Sequence, residues 1–90
     1  MNAAGMQIHL LYFARLRDAL ACDAETITLP GSNHDVATLL AHLRQRGGIW
    51  ASELSGDKPF RVAVDQHMAT PATRIPDGAE VAVFPPVTGG

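Results

Sequence analysis

The chain has 90 residues, of which 47% are hydrophobic and 18% charged, and its formal net charge is -2. That size suits one domain with a small core, and that composition excludes a disordered chain. The acidic balance offers no broad attraction for nucleic acid or an anionic membrane, no apolar run nears the roughly 18 residues of a membrane span, and the single cysteine, Cys22, excludes an intrachain disulfide.

Residues 1–5 carry no basic stretch followed by an apolar one. They read as a loose leader rather than a secretory signal, and a cytoplasmic protein is the expectation. Residues 7–13 read as a strand, with Ile8, Leu10 and Tyr12 on one face and Gln7, His9, Leu11 and Phe13 on the other. A short helix follows over 14–20, where Leu16 and Leu20 lie one turn apart. Residues 25–29 form a second strand, with Ile27 and Leu29 pointing together and Pro30-Gly31 as its stop.

The clearest helix spans 36–46. Val36, Leu39, Leu40 and Leu43 follow the i, i+3, i+4, i+7 spacing of a buried stripe. Asn33 or Asp35 caps its start, Gly47-Gly48 ends it, and Arg44 and Arg46 stand as solvated cations near the negative end of the helix dipole. Residues 49–54 read as a short turn that packs Trp50 on the core. Residues 61–65 form a third strand with Val62 and Val64 inward, Asp65-Gln66-His67 a turn, and 68–75 a short extended piece. Pro76-Asp77-Gly78 is a turn signal, and 80–84 the last strand, with Val81 and Val83 inward. This order fits an α+β fold in which one main helix crosses one mixed sheet.

In such a fold the second face of the sheet meets water. Yet Leu11 and Phe13 share that face with Gln7 and His9, and Phe84 shares it with Glu80. Ala63 and Ala82 have the same parity, and small side chains let a partner approach. Apolar groups gathered on an exposed face mark a binding surface. The other arrangement open to Phe13 or Phe84 is to fold over a sheet edge into a satellite core.

No residues are spaced for unaided catalysis. His34 and His42 lie eight apart, while His9 and His67 are isolated, so no metal site is expected. No Ser-His-Asp set, P-loop or dinucleotide glycine fingerprint is present, and Cys22 reads as a structural cysteine.

The chain closes on Pro85-Pro86-Val87-Thr88-Gly89-Gly90. Two prolines stiffen the approach, and two glycines leave a strip without side chains. This suits a tail that enters a narrow site on another protein, with the body (6–84) presenting residues 85–90. A stiffened tail also loses less freedom on binding.

Three segments carry a family resemblance: Leu11-Tyr12-Phe13-Ala14-Arg15-Leu16-Arg17, then Val62-Ala63-Val64-Asp65-Gln66, then Asp77-Gly78-Ala79-Glu80-Val81-Ala82-Val83-Phe84-Pro85-Pro86-Val87-Thr88-Gly89-Gly90. Together they resemble the ubiquitin-like sulfur carriers of the MoaD/ThiS superfamily, and the double proline resembles its molybdopterin branch. Asp65 stands where the family usually has Asn, and Ala79 where it often has Asp; both departures fall in or beside turns.

The resemblance implies a ubiquitin-like β-grasp and the role of sulfur-carrying subunit in molybdopterin synthase, a sulfurtransferase complex to which the chain brings no catalytic side chain of its own. It implies that an ATP-dependent adenylating enzyme activates the Gly90 carboxylate, that a sulfur donor protein converts it to a thiocarboxylate, and that the large synthase subunit uses this sulfur for the dithiolene of molybdopterin, in a heterotetramer. No cofactor is expected on the chain itself. Leu11, Phe13, Ala63, Met68, Ala82 and Phe84 are the expected partner surface, Met68 by resemblance alone. The same activated carboxyl would serve a protein modifier that forms isopeptide bonds, or a sulfur carrier for thiamine or cysteine synthesis. A purely structural interaction module would not need the glycine pair.

Overall fold

The computed structural model describes residues 5–86. Eight elements follow in chain order: β1 (Gly5–Tyr12), α1 (Ala14–Leu20), β2 (Ala24–Pro30), α2 (Val36–Arg44), α3 (Gly48–Glu53), β3 (Arg61–Val64), β4 (His67–Met68) and β5 (Glu80–Phe84). The strands form one sheet in the order β2-β1-β5-β3-β4. β1 and β5 run parallel at its centre, and every other pairing is antiparallel. Gly5, expected in the leader, is the first residue of β1 and pairs with Pro30.

Alternation in β1 separates the two faces. Ile8, Leu10 and Tyr12 are fully buried, whereas Gln7 and His9 are exposed. The buried residues of α1 and α2 join the inward residues of the strands in a single cluster, with Trp50 of α3 packed against it. The opposite face of the sheet therefore carries no helix. No helix of the described residues is long and apolar enough to cross a membrane.

α2 forms because its four apolar residues make one stripe and its start is capped. Asp35 is the cap: its Oδ1 accepts from the Thr38 N–H and the Thr38 hydroxyl, each at 2.8 Å. Those bonds hold the Asp35 carboxyl below its usual range. The helix stops at Arg44, two residues before the expected end. The Gln45 N–H is shared between the Ala41 and His42 carbonyls, and Arg46 N–H bonds to the Leu43 carbonyl, so the chain tightens into a turn. Gly47 and Gly48 then take φ of 76° and 54°, the left-handed region that other side chains resist.

Arg44 and Arg46 are not solvated dipole partners. Arg44 donates to the Leu54 carbonyl at 3.0 Å. Arg46 lies beyond the helix, donates twice to Glu25 at 2.8 and 3.0 Å, and sits 4.3 Å from the centre of the Trp50 ring. Tyr12 meets Trp50 edge to face at 5.4 Å, and its hydroxyl donates to Glu25 at 2.9 Å. Burial pushes the Glu25 carboxyl up, but the bonds from Arg46 and Tyr12 outweigh it and hold it below its usual range. Burial, then the bond to Glu25, pushes the Tyr12 hydroxyl far up, so it stays a donor. This network ties the segment after α2 to β1 and β2.

Candidate functional site

The site grows from the helix-free face. Its register assembles a row across the sheet: Leu11 of β1 is opposite Ala82 of β5, Ala82 is opposite Ala63 of β3, and Ala63 is opposite Met68 of β4. Directly paired residues share a face, so four separate segments become one apolar strip. One step towards the end of β5, Phe84 is opposite Arg61, and the Phe13 N–H bonds to the Val83 carbonyl at 3.2 Å. Phe13 and Phe84 thus flank the place where β5 passes into the tail.

Exposure sorts these residues. Phe13 and Met68 are 45% and 61% exposed, unusual for side chains of their size. Leu11 and Phe84 are half-buried. Ala63 and Ala82, expected to meet solvent, are buried at 8% and 9% exposure. They occupy inner strands, where one methyl group sits below the level of longer neighbours on the flanking strands. Their contribution is a shallow floor between Leu11 and Met68 rather than contact area of their own. Met68 was not reachable by parity, because β4 has two residues and no alternation to read.

Backbone geometry holds both ends of this face. Ala14 takes φ of 54° directly after Phe13, which turns the chain from strand into helix and leaves Phe13 at the sheet end. At the far end, Asp65 and Gln66 have φ of 49° and 70°, the two left-handed positions of a type I′ hairpin turn. The Asp65 carboxylate also accepts from the Glu80 N–H at 2.9 Å. Asp keeps the oxygen acceptor that Asn would offer, so this departure from the family pattern preserves the turn. Ala79, the other departure, is buried in the core cluster and its N–H closes the turn on the Pro76 carbonyl at 3.1 Å. Gly78 has φ of 83° there, as the third residue of a type II turn requires.

The polar groups divide along the face. Asp65, Asp77 and Glu80 lie around the start of β5: Asp77 accepts from the Gln7 N–H at 2.8 Å, and Glu80 is opposite His9. The tail end instead carries Arg15, Lys58 and Arg61. Arg15 and Lys58 both bind Glu53, with Lys58 Nζ 2.8 Å from Glu53 Oε2. The Lys58 bond, helped by Arg15, holds the Glu53 carboxyl below its usual range against the effect of burial. No pattern in the sequence joins Arg15 and Lys58 to Glu53, from which they lie 38 and 5 residues away.

Pro85 and Pro86 are described and partly buried. Val87, Thr88, Gly89 and Gly90, which carry the expected chemistry, lie outside the described residues. Cys22 is half-buried and donates to the Ala24 carbonyl at 3.6 Å; burial, then the Glu25 charge, pushes its thiol up, away from the reactive thiolate. Among the described residues, no three His, Cys, Asp or Glu side chains gather to hold a metal ion.

A model of the ThiS family matches residues 10–90. The molybdopterin synthase sulfur carrier subunit of Haemophilus influenzae is 35% identical over 83 residues, covering 92% of this chain and 99% of that protein. The crystal structure of SAMP1 from Haloferax volcanii, a small archaeal modifier protein, superposes with a TM-score of 0.77 at 22% identity, covering 93% of this chain and 99% of the other. A complex of subunits 1 and 2 of molybdopterin-converting factor from Helicobacter pylori contains a chain that superposes with a TM-score of 0.61 at 22% identity, covering 94% and 100%. The ubiquitin-like α+β fold is common to carriers and modifiers alike, so the fold does not choose between them. The 35% identical relative is a carrier.

Proposed function

The chain belongs to the ThiS family, and from that premise we propose that it is the sulfur carrier subunit of a molybdopterin synthase. One observation carries the reading beyond the relative's name. The apolar strip adjoins the root of the tail: Phe84, the last residue of β5, lies two residues beyond Ala82 of the strip, and Pro85 follows it. A protein that takes in the tail meets the strip as it does so, and burial of its apolar surface stabilises the complex by about 25 cal/mol per Å² before ordering terms are subtracted. The large synthase subunit is the expected occupant, since the Helicobacter pylori relative of this fold is in complex with its subunit 2.

The chemistry follows from the poor electrophilicity of a carboxylate. A Gly90 oxygen attacks the α-phosphorus of ATP on an activating enzyme, and pyrophosphate leaves. Hydrosulfide released by a sulfur donor protein adds to the acyl carbon, the carbon–oxygen bond to AMP breaks, AMP leaves, and the S–H proton goes to solvent. The product is a thiocarboxylate, which the large subunit draws on to build the dithiolene. The chain's own part is to present a slim carbonyl: a side chain at residue 89 or 90 would widen the strip and screen the attack.

Intact-mass measurement after incubation with ATP, activating enzyme and sulfur donor is expected to show one oxygen replaced by sulfur at Gly90. Deletion of Gly90 is expected to abolish that change and leave the melting temperature unaltered. Unmodified mass under conditions that load a related carrier refutes the proposal, and lysine-linked conjugates in place of a thiocarboxylate redirect it to protein modification.

A further inference from the structure

We infer that Arg15 and Lys58, held by the buried carboxylate of Glu53, form a docking anchor for an acidic side chain on the protein that receives the tail. The inference rests on the carrier reading above and adds to it the charge of the partner's rim. Glu53 ends α3 and is only 5% exposed, the one charged residue so covered among the described residues. Its two oxygens are divided between elements: Oε1 accepts from Arg15 of α1, and Oε2 accepts from Lys58 in the loop before β3. Arg15 also donates to the Pro59 carbonyl at 3.4 Å. Both cations are fixed at their inner side, yet their side chains remain 44% and 46% exposed.

Two cations share one carboxylate, so the cluster keeps a positive charge in a chain whose net charge is -2. An ammonium carries three donors, and Lys58 spends one on Glu53. The cluster lines a cleft of about 430 Å³ whose remaining walls are Pro59, Pro85 and Pro86. Proline has no N–H, so those walls offer carbonyl acceptors only, and any donor in the cleft comes from Arg15 or Lys58. An anion is the complement of such a site.

The tail identifies the occupant. Gly90 lies four residues beyond Pro86, a reach of at most about 14 Å when extended. Any protein that closes around Gly90 brings its rim within that distance of Pro86, and so against this cleft. A carboxylate on that rim would meet donors already held in place, which reduces the ordering loss on binding and steers the encounter.

The test compares wild type, Lys58→Gln, Lys58→Arg and Arg74→Gln for binding to the large subunit of the same organism, across a range of salt. Arg74 is exposed, lies beside Asp35 at the start of α2, and matches Lys58→Gln in charge change. At low salt, Lys58→Gln is expected to bind about fivefold more weakly, Lys58→Arg to recover most of the loss, and Arg74→Gln to stay within about twofold of wild type. The Lys58→Gln deficit is expected to vanish at high salt, where exposed charges are screened. Equal affinity of Lys58→Gln and wild type at low salt overturns the inference, as does an equal loss in Arg74→Gln. Binding of the wild type to anionic vesicles or oligonucleotides that Lys58→Gln loses overturns it in favour of another occupant. Failure of the carrier reading shows itself separately, as absence of a Gly90 thiocarboxylate in wild type.

Discussion

The two faces of this sheet use the same strands for different ends. Leu10 and Leu11 are chain neighbours in β1, yet Leu10 is sealed in the core and Leu11 belongs to the outer strip. The inner face is capped by helices and closed. The outer face has none, and leaves Phe13 in solvent beside the root of the tail and Met68 in solvent at the sheet edge. A small domain with little core to spare can thus expose an apolar surface without weakening its fold, because strand alternation keeps the two sets of side chains apart.

The sharpest way to break the comparison is to truncate the two neighbours in turn. Leu10→Ala is expected to destabilise the domain by about 2–5 kcal/mol, enough to unfold much of a marginal protein. Leu11→Ala is expected to change stability by less than about 1 kcal/mol and to weaken binding to the large subunit. Denaturant titration and binding measurements on both variants decide it; equal loss of stability would erase the distinction between the faces. Next in size is Phe84→Asp, which places a charge in the strip. It is expected to weaken large-subunit binding by about 2 kcal/mol, with a smaller loss of stability because Phe84 is half-buried. Unchanged affinity would remove Phe84 from the interface.

A smaller effect comes from acid. Glu25 and Glu53 both titrate below the usual glutamate value of 4.5 in the folded chain. Each stays charged in the native state after the unfolded chain has taken up its proton. Their stabilisation is therefore complete above 4.5 and is lost as pH falls through the lower folded values. Urea midpoints are expected to hold steady down to that pH and drop below it. Glu25→Gln is expected to start from a lower midpoint and to show a shallower drop. The smallest effect is at the hairpin: Gln66→Gly, at φ of 70°, is expected to stabilise the domain by about 0.5 kcal/mol without touching the strip.

Much of this architecture is legible in the order of residues. The strand at 80–84 and the helix at 14–20 were bounded as observed, and the stripe of Val36, Leu39, Leu40 and Leu43 marked α2. Phe13 and Phe84 were reached by parity alone. The misreadings share one cause. Arg46 took its place from Glu25 and Trp50, Ala63 and Ala82 lost their exposure to longer side chains around them, and Glu53 drew in Arg15 from another helix. Each depends on a neighbour distant in sequence.

Which side chains turn inward along a strand or helix was written in the order of residues, because a backbone's period is local and needs nothing from the rest of the chain. The apolar row on the outer face was not. It forms because β1 and β5, the first and last strands, lie side by side, and because the order β2-β1-β5-β3-β4 sets Leu11, Ala82, Ala63 and Met68 in one line. Only the pairing of strands distant in sequence could bring those residues together.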